Sequence, residues 1–265
     1  TDANRTLWCW GRGGSDGTLG NDGDLDNDGF YNDRNAPTQE EGNYTDWATA
    51  EAGQRASTFG IRDDGTDRTL WSFGEGVDGT TSGDQPVQEG TDTDWSIITL
   101  GAWEFCGIRD DGTDQTLWCF GNNKHGQLGN NDDGSVSFGA IAQIGTGTTW
   151  TDIELGTGYG CGVLDNDLYC WGRNHDNELG LGDDLSGFAS CQVHGGTAFY
   201  AQDCWEPELV DGDETWTAVV SGVGQSCGIN SDDEMYCWGE NKYGQVGIDD
   251  ADTTSPTPTK IEVSM

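Results

Sequence analysis

Four times in this chain a Trp is followed six residues later by Gly, then by a Gly-Ile or Gly-Val step, then by an aromatic-Gly stop. The copies are Trp47/Gly53/Gly60-Ile61/Phe73-Gly74, Trp95/Gly101/Gly107-Ile108/Phe120-Gly121, Trp150/Gly156/Gly162-Val163/Trp171-Gly172 and Trp216/Gly222/Gly228-Ile229/Trp238-Gly239. A fifth copy has only its second half, Leu7-Trp8-Cys9-Trp10-Gly11. Self-similarity on this scale belongs to arrays whose units cannot bury an apolar face alone, so that stacking of neighbours supplies the core.

Within a copy the apolar runs are short and bounded by turn residues. Trp95-Ser96-Ile97-Ile98-Thr99-Leu100, Cys106-Gly107-Ile108-Arg109 and Thr116-Leu117-Trp118-Cys119-Phe120 read as antiparallel strands, with Asp64-Gly65 and Asp111-Gly112 as hairpin turns. No segment has a sustained 3.6-residue apolar period. Three or four strands per copy around an axis make an all-β fold, a β-propeller. The expected organisation is one array over 1–265: a half blade at 1–46 with an acidic insert, and blades at about 47–94, 95–149, 150–215 and 216–258. Residues 259–265 are read as the start of a further blade. The chain begins just past a hairpin turn, so an absent N-terminal part, cleavage, or a neighbouring subunit is expected to complete the half blade.

Only 33% of residues are apolar, but twelve are Trp, and each buried aromatic withdraws roughly 150–250 Å² from water. Forty-eight acidic residues against eleven basic ones leave a formal charge of −37. Such a surface repels nucleic-acid phosphates and anionic membranes, and attracts divalent cations. No apolar run is long enough to insert into a membrane.

Cys106 and Cys119, Cys161 and Cys170, and Cys227 and Cys237 each bracket a turn between two apolar runs. In the copy that lacks them both are replaced together, by Phe59 and Ser72. That joint loss is what partners across a hairpin produce. Cys191 and Cys204 form a fourth expected pair inside a long insert, and Cys9 is left unpaired or for an intermolecular bond. Disulfides on this scale point to a secreted, extracellular or cell-surface location. Zinc on these cysteines is disfavoured, because the pairs lack Cys-x-x-Cys spacing and only His125, His175 and His194 could complete a site.

The two longest intervals between an aromatic-Gly stop and the next Trp, Arg12–Asp46 and Arg173–Thr215, are the expected binding faces, since insertions in repeat arrays map to one rim. In the first, Asp22, Asp24, Asp26 and Asp28, followed by Gly29, match the opening of a calcium loop, although Asn35 stands where a bidentate Glu would close it. A structural Ca²⁺ is the expected cofactor. In the second, Phe188, Phe199, Tyr200 and Trp205 surround the Cys191/Cys204 pair and suit contact with a protein or glycan, unless they cover the insert's own small core. Asn4-Arg5-Thr6 and Asn43-Tyr44-Thr45 are glycosylation sequons at Asn4 and Asn43. The three histidines form no cluster in sequence and there is no phosphate-binding P-loop, so a non-enzymatic role is expected.

The segments Leu117-Trp118-Cys119-Phe120-Gly121-Asn122-Asn123-Lys124-His125-Gly126-Gln127-Leu128-Gly129, Tyr169-Cys170-Trp171-Gly172-Arg173-Asn174-His175-Asp176-Asn177-Glu178-Leu179-Gly180 and Tyr236-Cys237-Trp238-Gly239-Glu240-Asn241-Lys242-Tyr243-Gly244-Gln245-Val246-Gly247 resemble the repeat of the regulator of chromosome condensation family. The resemblance implies a propeller, commonly of seven blades, of which this chain supplies about four and a half. The family's best-known member exchanges guanine nucleotide on a small nuclear GTPase and touches chromatin. This chain departs from it: Ala56, Glu104, Tyr159 and Gln225 replace the family's usual His before the second strand. Charge and cysteine content also argue against a nuclear partner. Secreted bacterial members that act by binding alone, including a protein inhibitor of β-lactamase, are the nearer likeness. The expected role is therefore a structural or adhesive protein-interaction module, with self-assembly into a homo-oligomer or filament through its unfinished ends. The alternative is a soluble secreted ligand- or protein-binding, inhibitor-like propeller, and behind it a glycan-active enzyme.

Overall fold

The structure is a computed structural model, and it describes residues 4–11, 19, 34–53, 57–75, 81–132, 139–193, 202–210, 212–248 and 254–262. All regular elements among these are β-strands. A two-stranded antiparallel sheet joins β1 (Trp8–Gly11) to β2 (Arg34–Gln39). Next comes β3 (Trp47–Ala52), β4 (Ser57–Asp63), β5 (Arg68–Glu75) and β6 (Thr81–Gln88), paired in chain order. The strands β7 (Trp95–Leu100), β8 (Glu104–Asp110), β9 (Gln115–Gly121) and β10 (Gly139–Gln143) repeat that meander.

The third of these larger sheets differs. Its strands β11 (Trp150–Leu155), β12 (Tyr159–Leu164) and β13 (Asp167–Gly172) are joined by β15 (Gln202–Leu209), and β14 (Cys191–Val193) lies outside β15 as a fifth strand. A final meander contains β16 (Trp216–Ser221), β17 (Gln225–Asn230), β18 (Met235–Glu240) and β19 (Thr254–Lys260). These sheets are the blades of a β-propeller.

The sequence motif has a steric explanation. Each blade opens on a buried Trp whose ring lies over the Gly of the second strand. A Cβ on Gly60, Gly107, Gly162 or Gly228 would come within 2.5, 2.7, 2.9 or 2.5 Å of Cζ3 of Trp47, Trp95, Trp150 or Trp216. Only Gly leaves room for an indole flat against its own sheet. The Asp-Gly turns are likewise built locally: the amides of Thr113 and Asp114 donate to Asp111 Oδ1 at 2.8 and 2.9 Å, and Gly112 takes φ +88°. These backbone donors hold the Asp111 carboxyl below its usual range.

The core lies between blades. Phe59, Ile61 and Leu70 of one sheet pack with Trp95, Ile98 and Phe105 of the next. Cys106, Ile108, Leu117, Cys119, Leu128 and Ile144 meet Trp150, Ile153, Leu155 and Trp171, while Tyr159, Val163, Leu168 and Leu179 meet Trp216, Val219 and Trp238. No single sheet has a second sheet of its own to cover it, so blade stability is shared with the neighbour.

The cysteines lie directly opposite one another in adjacent strands: Cys106 faces Cys119, Cys161 faces Cys170 and Cys227 faces Cys237, and all three pairs are bonded. Phe59 and Ser72 occupy the same register in the blade without a bridge. The bonded pairs have Cα atoms 4.0–4.1 Å apart, as residues directly opposed on adjacent antiparallel strands approach most closely. Cys191–Cys204 ties β14 to β15 in the same way.

Two expectations need revision. Pro258-Thr259-Lys260, read together with the last five residues as the approach to a new blade, finishes β19, which pairs with β18 to complete the last described blade. In the blades before it the fourth strand runs just before the next Trp, so such a segment looks like a beginning when it is an end. The insert at 173–215 is also more than a rim loop, because it supplies both β14 and β15.

First strands of consecutive blades touch, so they form the inner wall. Glu154 on β11 lies there, its Oε2 accepting from Thr99 Oγ1 at 3.1 Å. Burial, opposed by the Thr99 hydrogen bond and reinforced by the like charges of Asp152 and Glu51, pushes the Glu154 carboxyl from 4.5 up to about 7. The fold therefore favours the protonated acid. Its stabilisation is full below pH 4.5 and is lost as pH rises through about 7. Glu154→Gln keeps an acceptor for Thr99 and removes the charge. Thermal melts should show it stabilised by roughly 1–2 kcal/mol at pH 8, after discounting for solvent screening. At pH 4 the two proteins should melt together, and a gain that is equal at both pH values would exclude ionisation as the cause.

Candidate functional site

Three of the third strands carry a Gly of positive φ at or one residue before their end, +116° at Gly121, +99° at Gly172 and +98° at Gly239. The chain then turns around an Asn side chain. Oδ1 of Asn123, Asn174 and Asn241 accepts from the amides of Leu128, Leu179 and Val246 at 3.0, 3.1 and 3.0 Å. Two of these turns are clamped to the following blade, since Trp171 Nε1 donates to the Gln127 carbonyl at 3.0 Å and Trp238 Nε1 to the Glu178 carbonyl at 2.8 Å. A Cβ at Gly129 or Gly180 would stand 2.9 Å from those same indole nitrogens. The turns are thus rigid shelves along one rim, and their tips carry His125, His175 and Tyr243.

Two of the tips converge on one carboxylate. His125 Nδ1 lies 2.9 Å from Asp203 Oδ2, and His175 Nε2 lies 3.6 Å from Asp203 Oδ1. The imidazole rings meet edge to face with centroids 5.7 Å apart. One ligand atom from each of the three residues falls within 4.8 Å of the other two. Asp203 is fully buried while the His125 and His175 side chains are 28% and 34% exposed, so the carboxylate forms the floor and the imidazoles the mouth. A carboxylate only accepts, so His125 donates from Nδ1.

The surroundings fix this arrangement. Gln127 Oε1 accepts the His125 amide at 2.8 Å, the Asn174 amide reaches Asp203 Oδ1 at 3.3 Å, and the Cys191–Cys204 bridge anchors the strand beside Asp203. Arg173 pairs with Asp176 at 3.0 Å and with buried Glu178 at 2.7 Å. Burial pushes the Glu178 carboxyl up to about 7 despite Arg173. Burial also lowers the His175 pKa, against the pull of Asp203 and together with the push of Arg173. Two imidazoles and a carboxylate are a donor set for a borderline divalent ion such as zinc, with the remaining positions open to water or another donor.

This cluster was missed in the sequence. Its members come from two blades and the insert. The available signal was that His125 and His175 sit in the same turn of consecutive repeats, with Asp203 beside a bridged Cys.

The positions that depart from the family's usual His have a structural role where described. Glu104 accepts the Gly158 amide of the next blade at 3.0 Å, and the Tyr159 hydroxyl donates to the Gln225 carbonyl, again one blade on, at 2.8 Å. Burial raises the pKa of Glu104. Gln225 stays local, its Oε1 accepting the Gly224 amide at 3.3 Å. Ala56 lies outside the described residues.

Gly224-Gln225-Ser226-Cys227-Gly228 spells the Gly-x-Ser-x-Gly pattern of a nucleophile elbow, but it runs along β17 with no helix after it. Ser226 is buried, 3.0 Å from the Tyr159 hydroxyl and 3.1 Å from Ser221 Oγ. Those neighbours can share protons with it but offer no base of the His type.

The other expected site residues scatter. Trp205, expected as an exposed contact, is 4% exposed: it packs under the second blade's turn, where a Cβ on Gly126 would meet its ring at 2.6 Å. Phe188 is half-buried against the third core. These two serve the insert's own packing, since a stapled β-hairpin laid on the blade edge needs apolar residues beneath it. Phe199 and Tyr200 lie outside the described residues, as do Asp22, Asp24, Asp26 and Asp28. Asn4 is exposed; Asn43 is exposed too, at φ +50° with Nδ2 donating to the Glu41 carbonyl at 2.7 Å. Cys9 is unbridged and half-buried beside a groove of about 350 Å³ lined by Trp8, Trp10, Leu19 and Ala50. Burial, with Glu40 adding like charge, pushes its thiol up to about 11, so it stays protonated and unreactive at neutral pH.

The regulator of chromosome condensation (RCC1) repeat matches residues 216–245 and 232–265. Among solved structures, Prp20p from Saccharomyces cerevisiae is similar over 89% of this chain and 55% of its own, at 18% identity and a TM-score of 0.75. Human WBSCR16 is similar over 99% of this chain and 63% of its own, at 17% identity and a TM-score of 0.74. Yeast RCC1 (Prp20) bound to Kap60 gives a TM-score of 0.60 at 15% identity, with 98% and 71% covered. The chain thus spans a little over half of the first two proteins it matches. The repeat is matched over residues 216–265, and over the rest of the chain the likeness is one of fold, that of an RCC1-type β-propeller.

Proposed function

We propose that this chain is a non-enzymatic protein-interaction module of an oxidising, extracellular compartment, binding its partner on the rim formed by the third-strand turns. The observation that carries the compartment is the four disulfides, three of them in the same cross-strand register of consecutive blades. Bridges of this kind persist where glutathione does not reduce them. The interaction reading is supported by the fold: Prp20p is described by its binding to Gsp1p and histones, and yeast RCC1 is seen bound to Kap60. Those partners belong to those proteins; the transferable part is a rim that receives another protein. Here the rim presents Tyr243 at 81% exposure on one turn and the two imidazoles on the turns of other blades.

A charge of −37 favours a partner with a basic face, through faster encounter at low salt. With Trp205 buried and Phe188 half-buried, stacking of a glycan on the insert has less support than a protein contact. A structural calcium ion on Asp22, Asp24, Asp26 and Asp28 fits the same compartment, and chelation by EGTA should then lower the melting temperature.

Two measurements test the proposal. Protein taken from its source without reductant and alkylated while unfolded should show Cys106, Cys119, Cys161, Cys170, Cys191, Cys204, Cys227 and Cys237 unalkylated in a peptide mass map. Alkylation of all eight would end the extracellular reading. A photo-crosslinker at Tyr243 should yield one defined protein adduct from the extracellular fraction, weakened by salt, while the same group at Gly187 should not. Equal labelling from both positions would remove the rim as the docking face.

A further inference from the structure

The geometry points to a zinc-type divalent metal site on His125, His175 and Asp203, with an open coordination position facing the rim. Three features distinguish it from a chance meeting of polar residues. The ligand atoms are all within 4.8 Å of one another, whereas a tetrahedral ion at about 2.0–2.1 Å from each needs separations of about 3.3 Å. Two carboxylate contacts, at 2.9 and 3.6 Å, already straddle that value. The two imidazoles thus already reach the carboxylate from either side, one at each oxygen.

The ligands are also held from behind. Asp203 is fully buried on a disulfide-tied strand and receives the Asn174 amide, and the His125 turn is fixed by Gln127 and by the Trp171 clamp below it. Such outer support orients a first coordination sphere. Finally, the acid is fully buried while the imidazoles are part-exposed, so an ion reaches the acid past the imidazoles and keeps its unfilled position on their side. The surrounding negative charge raises the local cation concentration without selecting among ions, and selection comes from the nitrogen donors, which favour zinc over calcium or magnesium.

Coordination would consist of one bond from an imidazole nitrogen of each His and one from an Asp203 oxygen, with the His125 Nδ1 proton released if that nitrogen is the donor. Water occupies the open position and exchanges for a carboxylate, imidazole or thiolate of an incoming molecule. The site is independent of the extracellular reading and stands or falls by its own measurement.

The test is a zinc titration against a chromophoric indicator, using the intact chain stripped by chelator and kept in excess Ca²⁺ to occupy the acidic surface. One tight site per chain is expected. His175→Ala and His125→Ala should each weaken it by more than the roughly 10–100-fold that loss of a mere supporting partner costs. The His175→Ala apoprotein should melt with wild type, because that ring is exposed at the rim. Co²⁺ in place of zinc should give visible d–d bands that the same variants abolish. No stoichiometric site in the presence of Ca²⁺, or His175→Ala and His125→Ala binding like wild type, would overturn the proposal and leave a structural imidazole–carboxylate pair. Asp203→Asn adds the third ligand if it folds, and the two His variants decide the matter if it does not.

Discussion

Gly107→Val is expected to destabilise the chain by about 3 kcal/mol or more, a fall of roughly 10 °C in melting temperature for a protein of this size. The added Cβ alone would lie 2.7 Å from Trp95 Cζ3 and 2.8 Å from the Ile97 carbonyl oxygen. The second contact is backbone within the same sheet, so it cannot be relieved by turning a side chain. Trp95 is 1% exposed and packs between Phe105 of its own blade and the apolar residues of the blade before it. To make room the indole must leave that inter-blade core, and the loss is felt by two blades. Gly187→Ala is the control, because nothing lies within 4 Å of its Cβ position, and it should change stability by no more than about 0.5 kcal/mol. If both variants melt alike in a thermal scan, the Trp-over-Gly contact does not hold the blades.

Opening the disulfides is the second large effect. The bridges Cys106–Cys119 and Cys161–Cys170 are separated by 13 and 9 residues, and closing loops of that length in the unfolded chain is worth about 3 kcal/mol each. All four of these cysteines lie in the cores between blades, so replacing a pair by Ala also removes packed atoms. Cys106→Ala/Cys119→Ala should therefore cost about 3–5 kcal/mol. Full reduction of all four bridges should unfold the chain at room temperature, since the sum of about 12 kcal/mol is as large as the roughly 5–15 kcal/mol by which a domain is usually stable. Circular dichroism melts with and without reductant, read beside thiol counts, measure it. Reduced and oxidised protein melting together would mean that the sheets stand without their bridges, as the blade carrying Phe59 and Ser72 already does.

That blade shows why so much was legible. The motif Trp…Gly, the Asp-Gly turn and the cysteine pair all describe contacts inside one hairpin or between adjacent strands of one sheet, where partners are roughly a dozen residues apart. Local spacing and steric need are enough to specify them: Trp95 requires Gly107 because its ring lies over that residue, and Cys106 requires Cys119 because the two face each other across a fixed register. The aromatic insert was harder. Trp205 looks like a contact residue in sequence, yet it is buried because β15 enters the sheet ahead of β14 and carries it under the neighbouring turn. Which face an insert turns inward depends on the edge it finds, and the edge belongs to another part of the chain.

The sequence by itself determined the repeat, the all-β blades, the hairpins and the cysteine partners, since each is a consequence of alternation, chain reversal and exclusion over short distances. Only the tertiary structure decided that Glu104 and Tyr159 tie one blade to the next, that Trp205 and Phe188 are packing residues, and that His125, His175 and Asp203 meet. These contacts join residues tens of positions apart. They exist because stacking of blades around an axis brings equivalent turns side by side, and the pattern within a single repeat carries no information about what its neighbour places next to it.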